Sequence, residues 1–190
     1  MTTTCPDVRQ LPGDLAIWFF ILAEMTVFAV LFGVLAWSHS DAPELFARGR
    51  ATLHPWAGWL ITAALISASA AVAAGVGRAH RRGPATLVPA FAAALVCAGV
   101  YVILKLWEYG QLFEAGYTLR TNLFYTLYFF LTFFHFMHVI MGMIILAYIT
   151  RKAARGGYAE GELSGIESGA SYWHMVDMVW VILFPLVYVI

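Results

Sequence analysis

The chain has 190 residues, of which 62% are hydrophobic and only 12% charged, well below the roughly 25% charged content of an average soluble domain. Its 11 basic and 11 acidic side chains give a formal net charge of zero. A soluble domain this small cannot bury so much apolar surface, and a neutral chain with few Lys and Arg lacks the electrostatic footprint of a nucleic-acid binder. The sequence is that of an integral membrane protein.

A helical span needs about 20 mostly apolar residues to cross the hydrocarbon core, and five stretches meet that length. The predicted spans are Leu15–Trp37, Ala57–Gly77, Thr86–Trp107, Leu123–Ile149 and Tyr172–Ile190. The connections between them are too short to form a further domain, so residues 1–190 read as one membrane domain. The spans lack the apolar and polar faces that soluble helices alternate. They also lack strand periodicity, which excludes a membrane barrel. Trp37, Trp56, Trp59, Trp107, Tyr172 and Trp173 lie near predicted span ends, where amphipathic rings favour the headgroup layer.

The residues before Leu15 include Asp7 and Asp14, and the first apolar run is too long for a signal h-region. The first span is therefore expected to be a retained anchor. Cys5 has no apolar run before it, which argues against a lipoprotein signal, and Cys97 lies within the third span, so no disulfide is expected. One side of the membrane collects Arg9, Arg78, Arg81, Arg82, Arg151, Lys152 and Arg155; the other collects Arg48, Arg50 and Arg120. The positive-inside rule then puts the N-terminus in the cytoplasm and the C-terminus outside.

In the second span Ala63, Ser67, Ala71 and Gly75 recur at every fourth position, and Ser69, Ala73 and Gly77 repeat the pattern on another face. The third span adds Ala90, Ala94 and Ala98. Small residues at this spacing let helix backbones approach closely in a bilayer, so these faces are expected to pack internally or against a partner; a substrate path is the other reading. Pro89 falls in a first turn, where its missing N–H does no harm. Pro185, inside the last span, is expected to kink it.

Ionisable residues within spans are costly and count as functional hypotheses. Lys105 and Glu108, three residues apart at the predicted outer edge, read as a snorkelling interfacial ion pair. Deeper in the bilayer lie Glu24, His135, His138, His174 and Asp177. His135/His138 and His174/Asp177 are each i, i+3 pairs that share a helix face. If these faces converge, spans 1, 4 and 5 hold one buried polar network. Three roles stand open for it: fixing helix register, relaying or buffering protons, or binding a metal through His and carboxylate ligands. No Walker, Rossmann, hydrolase, haem or copper motif is complete anywhere in the chain.

The run YWHMVDMVWVILFPLVYVI (Tyr172–Ile190) closely resembles the C-terminal helix of haem-copper oxidase subunit III, with its WHFVDxVW…FP signature. FFHFMHVIMG (Phe133–Gly142) resembles that family's FHGLHVIIG segment, and LWEYGQLFEAG (Leu106–Gly116) its FEY stretch. AEMTVF (Ala23–Phe28) resembles the helix bearing the family's buried, carbodiimide-reactive glutamate, which maps onto Glu24. The matches run in order from Gly13 to Ile190. The mitochondrial type has seven helices, whereas five are predicted here, as in quinol-oxidase subunit III and the NorE-type proteins associated with nitric oxide reductase. PGDLAIWFFILAEMTVF (Pro12–Phe28) looks most like the NorE type.

The resemblance implies an accessory, non-catalytic subunit of the bacterial inner membrane, without a cofactor of its own. It would pack beside a catalytic subunit that carries haem and, in an oxidase, copper. It would also bind phospholipid and support assembly, sustained turnover and proton uptake. Two departures bear on this. The absent first two helices remove part of the family's lipid cleft, and Phe136 stands where the family has Gly beside His135. Rival classes are a free-standing transporter or gas channel, against which the chain shows no inverted pair of Gly/Pro-broken spans, and a self-contained membrane metalloenzyme using the His cluster.

Overall fold

The computed structural model describes residues 15–159 and 163–189. Cys5, Asp7, Arg9, Asp14, the Pro12–Asp14 start of the first motif, and Ile190 lie outside the described residues. Those described are almost wholly helical, with no strand among them. The helices are α1 (Leu15–Asp41), α2 (Pro43–Arg50), α3 (Pro55–Arg82), α4 (Val88–Glu114), α5 (Leu123–Ala154) and α6 (Ser164–Tyr188), with a 3-10 turn at Pro84–Leu87. All but α2 are long and apolar enough to cross a membrane, which gives the five-span membrane bundle expected.

Local chemistry sets the helix ends. Pro43, Pro55 and Pro89 occupy first turns, where no backbone N–H is needed. The Asn122 side chain accepts the Tyr125 N–H at 3.2 Å and caps α5. Gly116 and Gly156, at φ +85° and +66°, close α4 and α5. In each case the next residue's N–H turns back to the carbonyl of Leu112 or Lys152, at 2.9 and 3.0 Å. This left-handed cap favours glycine. Alternate connections make the bundle run up and down, so one end holds Leu15, the α3–α4 turn and the α5–α6 loop; we call it the near end. His80 meets Glu167 there at 3.0 Å. At the far end Arg50 donates to the Val189 carbonyl at 2.9 Å, and the Thr52 and Tyr125 hydroxyls meet at 2.8 Å.

The body of the molecule is α3–α6, with α3 and α4 the most extensively packed pair. Ala90, Ala94 and Ala98 are buried on α4 as the small-residue spacing predicts. The α3 stripe divides along its length. Ala63 and Ser67 are exposed, Ala71 is half-buried and only Gly75 is buried, so most of this row does not pack internally. A step of four residues overruns a 3.6-residue turn, and the row therefore winds off the contact face. The buried face is instead Ile61, Leu65, Ala68, Val72, Gly75 and Ala79, in steps of three and four. A Cβ on Gly75 would stand 2.7 Å from the Phe91 ring, which shows how closely α3 and α4 approach.

The helices also outrun their apolar cores. α6 begins at Ser164, eight residues before the predicted span. Tyr172 and Trp173 consequently lie two turns inside α6 and are buried, not anchored in the headgroup layer. Trp37, Trp56, Trp59 and Trp107 do stay exposed. Polar residues such as Glu114, Arg151 and Ser164 end a hydropathy window but remain good helix residues at a membrane surface, so the α-helix continues through them. The amphipathic α2, between the first two spans, is too short and polar to register as a span.

Candidate functional site

Three polar groupings form inside the bundle, where sequence reasoning expected one. The near-half pair joins α1 to α5: His138 Nε2 lies 3.1 Å from Glu24 Oε2. His138 Nδ1 lies 2.8 Å from the Phe134 carbonyl, which can only accept, so Nδ1 carries a hydrogen. Nε2 and the carboxylate then require one proton between them, as imidazolium with carboxylate or imidazole with carboxylic acid. The pair is not sealed, with side-chain exposures of 12% for His138 and 21% for Glu24. Phe28 packs across it at 5.3 Å from the His138 ring.

His174 and Asp177 do not join that pair. His174 Nδ1 meets the Ser69 hydroxyl of α3 at 2.7 Å, and Asp177 lies beside the same two residues. The reason is angular: Tyr172 sends its hydroxyl towards α5, to the His138 carbonyl at 3.3 Å, and a residue two places on points to the opposite side of the helix. His135 is fully buried, yet neither ring nitrogen has a hydrogen-bond partner among the described residues. The single converging network is thus replaced by two separate groupings and a solitary histidine. No group of three His, Cys, Asp or Glu side chains is placed to hold a metal ion among the described residues.

The third grouping corrects the interfacial ion pair. Lys105 and Glu108 do pair, at 2.8 Å, but both are 0% exposed. The α4 helix continues to Glu114, which leaves Lys105 about 14 Å below its end at 1.5 Å per residue. A side chain so placed cannot snorkel past the helices that cover it. The ammonium's three hydrogens go to Glu108 Oε2, to Tyr128 Oη at 3.1 Å and to Tyr188 Oη at 3.0 Å. The Tyr188 hydroxyl in turn donates to Glu108, 2.8 Å from Oε1 and 2.6 Å from Oε2. Tyr109 donates to Thr132 at 2.9 Å alongside. Such saturation is what makes a buried ion pair tolerable, because desolvation is offset only when the remaining donors and acceptors are also paired. A cavity of ≈210 Å³, lined by Thr52, His54, Gln111 and Tyr117 among others, reaches Glu108 from the far end.

The tyrosines were missed because each looks like an ordinary membrane aromatic. A signal was available: Tyr125, Tyr128, Thr132 and His135 repeat at steps of three and four, a polar-tipped stripe on one face of α5. Chemically, these groupings can hold protons and lock helices together.

The sequence profile described as "Cytochrome c oxidase subunit III" matches residues 12–190. Among curated proteins the chain is 31% identical over 186 residues to "Cytochrome c oxidase subunit 3" of Synechocystis sp., covering 97% of this chain and 77% of that one. It is 34% identical over 193 residues to the protein of the same name from Marchantia polymorpha, covering 95% and 69%. It is 25% identical over 173 residues to that of Corynebacterium diphtheriae, covering 90% and 84%.

Proposed function

Because the chain belongs to the cytochrome c oxidase subunit III family, we propose that it is the accessory, non-catalytic membrane subunit of a bacterial haem-copper oxidase. It packs beside the catalytic subunit in the inner membrane, with its N-terminus cytoplasmic, and supports assembly and sustained turnover. Haem and copper belong to that partner. The observation that carries this reading is the match along residues 12–190, combined with a fold whose buried polar side chains are mostly committed to one another. The exposed face of α1 and the Ala63–Ser67 edge of α3 offer apolar and small-residue surfaces for a neighbouring helix.

Phospholipid is part of the proposal. At the near end a cavity of ≈480 Å³ is lined by Tyr148, Arg151, Lys152 and Arg155. Basic side chains at the membrane surface suit a lipid phosphate. A second reading exchanges the partner for a nitric oxide reductase. It is favoured by the Pro12–Phe28 run, which resembles the NorE type.

The test is to purify the catalytic complex from cells with and without this chain. The expected result is a similar initial rate with fewer turnovers before inactivation when the chain is missing. An unchanged number of turnovers would overturn the supporting role.

A further inference from the structure

The centre of the bundle brings together polar atoms that the protein itself leaves unpaired. Tyr101 on α4 and His135 on α5 are both fully buried, and their rings meet edge to face with centroids 5.9 Å apart. Tyr101 Oη and both His135 ring nitrogens lack a hydrogen-bond partner among the described residues. Their neighbours cannot supply one. Trp180 lies 5.3 Å from the His135 ring and 5.7 Å from Tyr101, but its one donor, Nε1–H, is given to Thr62 Oγ1 at 2.9 Å. Phe28 and Phe136, whose rings lie 6.4 Å from His135 and 6.1 Å from Tyr101, have no polar atom.

Each unpaired polar atom held away from solvent costs about 1–3 kcal/mol, and the surrounding hydrocarbon offers no partner. A neutral imidazole presents one donor and one acceptor, and a phenol presents both functions on one oxygen. That set matches water, which makes two to four hydrogen bonds in buried sites. Other occupants fit less well. An apolar molecule would leave all three atoms unpaired. An anion would meet no free cation, since Lys105, one turn along α4, has its three hydrogens on Glu108, Tyr128 and Tyr188. A metal ion would find no group of three His, Cys, Asp or Glu ligands among the described residues.

We propose that the Tyr101–His135 contact is a binding site for water, held between the phenol oxygen and an imidazole nitrogen at mid-membrane. The site lies one turn from Lys105 along α4 and one turn from His138 along α5. It therefore sets an exchangeable molecule between the Lys105–Glu108 cluster and the Glu24–His138 pair.

The test uses the full chain, labelled with ¹⁵N-histidine, in lipid nanodiscs. Solid-state NMR measures magnetisation transfer from water to each imidazole, with resonances assigned on the native protein. His80, whose side chain is 46% exposed, serves as the positive control. Transfer to His135 comparable with that to His80 is the expected result. Its absence at His135 while His80 responds would overturn the site, whether the contact is dry or Tyr101 bonds the imidazole directly. Tyr101→Phe adds a second readout with an opposite sign for the two cases. A hydrated site loses a partner, so Tm falls and transfer to His135 weakens. A dry site sheds an unpaired hydroxyl, so an unchanged or raised Tm would contradict the proposal. Should that variant fail to fold, the measurement on the native chain decides alone.

Discussion

The four-helix body α3–α6 and the lone helix α1 hold their buried acids in opposite ways. Glu108 sits in the body beside Lys105, whose three ammonium hydrogens are all accounted for, and its side chain is buried among α4, α5 and α6. Glu24 sits on a helix that buries four residues of its length, Ile21, Phe28, Leu35 and Ser38, against thirteen on α6. It reaches α5 through a single partly exposed histidine. The first arrangement ties helices together through partners that are all buried. The second is a seam, where an acid and a histidine share one proton between two elements that pack loosely. The same residue chemistry thus serves as a brace in one region and as an adjustable contact in the other.

The largest expected effect comes from breaking the brace. Lys105→Met leaves Glu108 without its cation in a buried site, a class of change costing about 3–5 kcal/mol. Thermal unfolding of the detergent-solubilised chain should show a large drop in Tm or a failure to accumulate. Lys105→Met combined with Glu108→Gln should cost much less than the sum of the single changes, because no unpaired charge remains. Additive losses in that cycle would deny that the pair acts as a unit.

A smaller loss should follow from Gly75→Ala. The new Cβ would stand 2.7 Å from Phe91, and overpacking of this kind costs about 1–3 kcal/mol. Gly99→Ala is the control in the same body, since a Cβ there meets nothing within 4 Å. It should leave Tm unchanged or slightly higher, because alanine restricts the unfolded chain. Equal losses at both glycines would contradict the close α3–α4 approach.

At the seam, Glu24→Ala should cost the isolated chain about 1 kcal/mol, the scale of one net hydrogen bond. In the complex it should lower assembly, or shorten the number of turnovers before inactivation, more than it lowers the initial rate. An unchanged turnover lifetime in a fully assembled complex would remove the seam's functional role. The smallest effect is expected at Glu44 and Arg48, a surface pair 3.6 Å apart with side chains 88% and 83% exposed. Glu44→Ala should leave Tm unaltered within error, as solvated pairs of this kind contribute little.

Much of this architecture was legible because lipid imposes a simple rule: about 20 apolar residues per crossing. The five spans followed from that rule, and the buried acids and histidines were found because intramembrane charge is rare. What hydropathy could not supply was rotation about each helix axis. The i, i+4 row from Ala63 to Gly75 winds from an exposed to a buried position, and His174 points away from α5 because Tyr172 already occupies that direction. Nor could it supply helix ends. Lys105 looked interfacial because Glu108 ended the apolar run, while the helix went on to Glu114. The Lys105 partners Tyr128 and Tyr188 lie 23 and 83 residues away in the chain, a pairing fixed only when α4, α5 and α6 come together.

Purification through a tag on this chain in mild detergent, followed by an optical spectrum and mass spectrometry of the preparation, tests the central claim most directly. Haem absorbance together with a stoichiometric large membrane subunit is the predicted result, and that subunit's identity decides between an oxygen and a nitric oxide reductase. A stable, colourless chain that purifies alone from cells making the candidate partner would contradict the account.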